Sequence, residues 1–158
     1  MTDETVSATT TISASPEAVF AVLAQPTQHV DIDRTGWVEA ALDQDPLTSA
    51  GQVFRMRMYH RQHPDGHYEV ANLVTVLEPP SAISWKPGDV SEATGEHEAG
   101  GWVWRYDLAP LGPDETEVTL TYDWSQVGPE PRQRLPFPPF PPEHLTNSLE
   151  HLAQLVTG

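Results

Sequence analysis

The sequence contains no cysteine. A thiol nucleophile, a zinc–thiolate site, an iron–sulfur cluster and a disulfide are therefore excluded. Cations are scarce too: 8 Lys and Arg stand against 23 Asp and Glu, a formal charge of −15. Phosphate-rich partners need cations, so neither nucleic acid nor anionic membrane is an expected partner, and the acidity reads as a solubility feature. No apolar run is long enough to cross a bilayer, so no membrane insertion is expected. The opening "MTDETVSATTTISASPE" lacks a basic region and an apolar stretch, so no signal peptide or anchor is read there and the expected location is cytoplasmic. There is no phosphate-cradling glycine loop, nucleotide fingerprint or nucleophile elbow, and no cofactor is implied. No metal site is read either. His60, His63 and His67 in "HRQHPDGH" straddle a turn without a carboxylate at ligand spacing, and "HVDID" (His29, Asp31, Asp33) lacks the glycine of a calcium loop.

What is present is aromatic and strand-like. In "GGWVWRYDL" the residues Trp102, Trp104, Tyr106 and Leu108 fall on every second position, so a strand there carries two indoles, a phenol and a leucine on one face. With 5 Trp and a hydrophobic share of 38% in 158 residues, the chain reads as one folded domain over 1–158. "TVSATTTISA" alternates as a strand. A helix follows, with Ser15 as N-cap, Pro16 at its first position, a stripe of Val19, Phe20 and Leu23, and a stop at Pro26. "TQHVDID" reads as one more short helical turn.

Further strands are expected at about Trp37 to Leu42, Val53 to His60, Tyr68 to Leu77, Ala82 to Trp85, Trp102 to Leu108 and Glu117 to Trp124, forming an antiparallel meander. "KPGDVSEATGEHEAGG" reads as a long polar loop, and "PEPRQRLPFPPFPP" as neither central strand nor helix interior. Glu143 to Val156 places Leu145, Leu149, Leu152 and Val156 on one helical stripe, with His144 and His151 on its flank, facing water.

Taken in order, "ISASPEAVFAVLAQPTQHVDID", "GQVFRMRM", "ANLVTVLEPPSAISWKPG", "WVWRYDLAP" with "TEVTLTYDWS", and "SLEHLAQLV" resemble the START-like, birch-pollen-allergen-like superfamily, also labelled SRPBCC or polyketide cyclase/dehydrase. The resemblance covers nearly the whole chain. It implies an α+β helix-grip fold: a seven-stranded antiparallel curved sheet with two short helices and one C-terminal helix, enclosing a cavity.

The residues supply a lining for that cavity. A hairpin centred on Asp65 sets His60 opposite Val70, Met58 opposite Asn72, Met56 opposite Val74 and Phe54 opposite Val76, one apolar face apart from His60 and Asn72. Ile83 with Trp85, the Trp102 run, and Val118, Leu120, Tyr122 and Trp124 extend it. Leu149 faces it from the final helix, and Phe137 and Phe140 in the proline-rich stretch are expected to fold over its mouth.

The expected function is binding, transport or sensing of a small hydrophobic molecule, aromatic or lipid-like. The alternatives are a polyketide cyclase or aromatase-type enzyme, with His60, Tyr106 or Tyr122 moving protons, and an interaction module like chaperone co-factors of this fold. No catalytic residue is assigned and no protein partner is named by the sequence.

Overall fold

A computed structural model describes residues 4–60, 66–134 and 136–158. Strand β1 (Thr5–Ile12) leads into α1 (Pro16–Leu23), a 3-10 turn at Pro26–Gln28 and α2 (His29–Asp33). Ser15 caps α1 as its sequence position dictates: the Ala18 amide donates to Ser15 Oγ at 3.2 Å, and Pro16 takes the first turn, where no backbone donor is needed. Seven further strands follow: β2 (Val38–Ala41), β3 (Val53–Tyr59), β4 (His67–Glu78), β5 (Ala82–Val90), β6 (His97–Ala99), β7 (Val103–Gly112) and β8 (Glu115–Asp123). Helices α3 (Pro129–Arg134) and α4 (His144–Thr157) complete the chain.

One antiparallel sheet runs in the order β1-β8-β7-β5-β4-β3-β2, seven strands in a single path. The short β6 pairs with the far end of β5, beyond the stretch that β7 covers. Helix α4 lies against β1, β8, α1 and α2. Its leucine stripe faces inward: Leu145, Leu149 and Leu152 are at most 1% exposed. Burying three such side chains contributes about 1.5–3 kcal/mol each, which is what holds a lone helix across a curved sheet. No helix among the described residues is long and apolar enough to cross a membrane.

Three local expectations are corrected. The β3–β4 pairing sets Phe54 opposite Asn72, Met56 opposite Val70 and Met58 opposite Tyr68, so each partner lies four residues nearer the turn than a hairpin centred on Asp65 requires. The pairing is thus centred two residues earlier, and beyond its last pair, Tyr59 with His67, the His60 amide donates to the Gly66 carbonyl at 2.9 Å. Because the offset is even, every side chain keeps its face. The polar loop after Trp85 is shorter than expected, as β5 continues to Val90 and returns through β6. The start of the proline-rich stretch, "PEPRQR", forms α3: Pro129 and Pro131 fall in its first turn, where a missing N–H has no intrahelical role.

The break between β6 and β7 needs glycine. Gly101 has φ +107°, and a Cβ there would sit 2.5 Å from the Gln126 carbonyl oxygen. Trp102 therefore precedes β7 rather than opening it.

Candidate binding site

The concave face of β3, β4, β5 and β7 forms the floor of the interior. Phe54, Met56, Val74, Trp85 and Tyr106 are buried there, with Leu149 buried in the same core from α4 and Met58 half-buried at its edge. His29 comes in from α2. Its Nε2 donates to the Leu23 carbonyl at 2.9 Å, so in the neutral ring Nδ1 is the acceptor nitrogen. Its ring stacks on Trp85 at 5.2 Å and meets Phe54 edge-on at 5.5 Å. Burial lowers its pKa, so the imidazole is neutral at pH 7.

Three buried polar side chains on the inner side of the sheet, from β4, β7 and β8, have no hydrogen-bond partner among the described residues. The Asn72 amide is 4% exposed, between Phe54 on β3 and Pro87 on β5. The Tyr106 and Tyr122 side chains are 4% and 1% exposed. Burial pushes both phenols far above their ordinary pKa; the charge of Asp33 adds to this at Tyr106, and Tyr68 adds to it at Tyr122. Both therefore stand as intact hydroxyls.

A second group of rings closes the interior near the proline-rich segment. Trp37, Trp104, Tyr122, Phe140 and His144 come from five different parts of the chain, yet Phe140 lies 4.9 Å from His144, 5.0 Å from Tyr122, 5.7 Å from Trp104 and 6.1 Å from Trp37, centroid to centroid. Such separations are those of packed aromatic pairs. The interior is thus occupied by the protein's own rings. Trp37 is fixed by its indole N–H, which donates to the Tyr68 hydroxyl at 2.7 Å.

Behind this box stands a buried ionisable pair. Asp33 accepts from the Thr35 and Val38 amides and from the Thr35 hydroxyl, and its Oδ1 lies 3.9 Å from His144 Nε2, with both side chains 7% exposed. His144 was expected in water. Instead the first turn of α4 turns it into the core, and burial lowers its pKa despite the opposing pull of Asp33. His151 is also drawn in, half-buried with Nδ1 donating to the Ile32 carbonyl at 2.8 Å.

The remaining expected residues divide. Trp124 is buried with Tyr122 and Val127 in a satellite cluster, against which Trp102, Phe137 and Phe140 pack; Phe137 stands 6.0 Å from Trp102. His60 is half-buried, and its Nε2 donates to the Pro139 carbonyl at 3.1 Å, so it ties down the proline-rich segment. His67 pairs with Glu39 at the surface, and His63 lies outside the described residues. The sequence pointed to neither Asp33, His144, Trp37 nor Tyr68 as part of one site. The nearest signal was "HVDID" beside a tryptophan.

No family model matches the sequence. The uncharacterised protein Rv0088 of Mycobacterium tuberculosis is 27% identical over 123 residues, which are 78% of this chain and 49% of that protein. The chain spans about half the length of the curated relatives it matches. Among solved structures, protein Ms6760 from Mycobacterium smegmatis is similar at a TM-score of 0.65 and 18% identity, over 98% of this chain and 91% of that one. Norcoclaurine synthase from Thalictrum flavum, solved with dopamine and hydroxybenzaldehyde, gives a TM-score of 0.63 at 14% identity, over 96% of this chain and 85% of that one. At these identities the likeness is one of fold. The curved antiparallel sheet gripping a C-terminal helix is the helix-grip, Bet v1-like fold.

Proposed function

We propose that the protein binds a small, largely apolar aromatic molecule between its sheet and α4. The observation that carries this reading is a set of buried polar groups, Asn72, Tyr106 and Tyr122, without a hydrogen-bond partner among the described residues, in a largely apolar wall. A buried polar group without a partner costs roughly 1–3 kcal/mol, and a wall that served only as core would hold leucine and phenylalanine at those positions. A ligand with an aromatic body and few polar substituents would satisfy them. The Thalictrum flavum neighbour carries two small aromatic compounds on the same fold.

The test is titration with N-phenyl-1-naphthylamine, a neutral aromatic dye. Tryptophan emission should quench saturably, and the melting temperature should rise. At a hundredfold excess over Kd the linkage amounts to about 2.7 kcal/mol. If the dye neither quenches nor stabilises, the interior is plain core and an interaction surface is the better reading.

The Asp33–His144 pair favours a second reading, a cyclase-type enzyme in which His144 moves a proton on a bound carbonyl compound. Turnover of a poly-ketone model substrate, lost in His144→Gln, would establish it. Binding without turnover leaves the carrier or sensor reading.

A further inference from the structure

We propose that the seat of the Phe140 ring is the ring subsite of a single-ring, neutral phenol-class ligand, which enters by displacing that ring. This deepens the binding reading and rests on it. The seat is built from well-separated elements: Trp37 before β2, Trp104 on β7, Tyr122 on β8 and His144 on α4 all face one six-membered ring. Centroid separations of 4.9 to 6.1 Å from the occupant are the spacing of a single packed ring.

The ring that fills the seat belongs to a segment with few backbone donors. Five of the seven residues from 136 to 142 are proline and have no N–H to give. Among the described residues its hydrogen bonds run from the Pro139 carbonyl to His60 and from the Pro141 carbonyl to the His144 amide. No sheet ladder has to break for Phe140 to swing out.

The chemistry of the seat does not match its present occupant. Phenylalanine is wholly apolar, yet the ring lies against His144, whose Nε2 is 3.9 Å from Asp33 Oδ1, too long for a hydrogen bond. A ligand hydroxyl beside the pair can accept from the imidazole N–H and donate to the carboxylate, completing a contact that the protein leaves open. The hydroxyl of Tyr122, a residue 1% exposed, is unpartnered among the described residues and offers a second polar contact. The Asp33 oxygens accept from Thr35 and Val38, so this acidic side chain suits a ligand hydroxyl that donates and disfavours a carboxylate ligand.

The experiment measures binding of phenol, its apolar isostere toluene, and benzoate by tryptophan quenching, in the natural protein, Phe140→Ala, Phe140→Leu and His144→Phe. The natural protein should bind phenol about tenfold more tightly than toluene, the worth of one good hydrogen bond, and benzoate more weakly than either. Phe140→Ala and Phe140→Leu should both bind phenol more tightly, because the competing ring is removed. His144→Phe should abolish the preference for phenol while toluene still binds. Unchanged phenol affinity in both Phe140 variants would overturn the proposal, even with the naphthylamine dye still binding; only failure of that dye as well would overturn the binding reading. A natural protein that ignores phenol, beside a Phe140→Ala variant taking phenol and toluene equally, would show an engineered void and overturn it too.

Discussion

Replacing Asn72 by leucine should stabilise the empty protein. The two side chains share the same heavy-atom branching, so leucine enters the space between Phe54 and Pro87 with modest repacking. The amide it replaces is 4% exposed and unpartnered among the described residues, and so carries a desolvation cost of roughly 1–3 kcal/mol. Leucine removes that cost and adds apolar contact in a face already lined by Met56, Val74 and Trp85. In a chain of 158 residues, each kcal/mol moves the melting temperature by about 2–4 °C. A rise of about 2–12 °C is expected by calorimetry, with the urea midpoint raised and the m-value unchanged. Affinity for a polar-headed aromatic ligand should fall in the same variant, while affinity for a wholly apolar one holds. A loss of stability would refute the reasoning, because it would mean that the amide is satisfied in the empty protein. Unchanged stability and binding would mean that Asn72 does not face the interior.

Burial lowers the pKa of both His29 and His144, so both fold neutral and the unfolded chain takes up their protons first. Their contribution is fully present above about pH 6.5 and is lost as pH falls below it towards their folded values; urea midpoints should fall between pH 7 and pH 5, and less so in His144→Gln. Gly101→Ala should cost of order 1–3 kcal/mol, through a positive φ and a Cβ facing the Gln126 carbonyl; a neutral result by chemical denaturation would contradict the described β6–β7 break. Leu149→Ala should cost about 2–5 kcal/mol in the same assay, and an effect under 1 kcal/mol would mean that α4 does not close the core.

The sheet and its gripped helix were legible because both signals are periodic. Trp104, Tyr106 and Leu108 alternate, as do Val118, Leu120 and Tyr122, and the pairing of Trp104 with Tyr122 and Tyr106 with Leu120 brings the two sets onto one face. The Leu145, Leu149 and Leu152 stripe needed only a helical period. The β3–β4 register was misplaced because the turn is set by loop length, which the Pro-Asp-Gly sequence does not encode, and an even offset left the face assignments intact. The buried pair was not legible at all. Asp33 ends a five-residue helix and His144 opens the last one, and nothing local to either reports that the fold sets them 3.9 Å apart. Trp37 precedes a bulged edge strand, so alternation could not assign its face.

The most direct test of an internal aromatic site is to follow the indole N–H resonances of the 5 tryptophans by nuclear magnetic resonance during titration with N-phenyl-1-naphthylamine. A ligand held inside should shift Trp37, Trp85 and Trp104 together, saturating at one equivalent. A full excess of dye that leaves those three resonances in place would contradict the site.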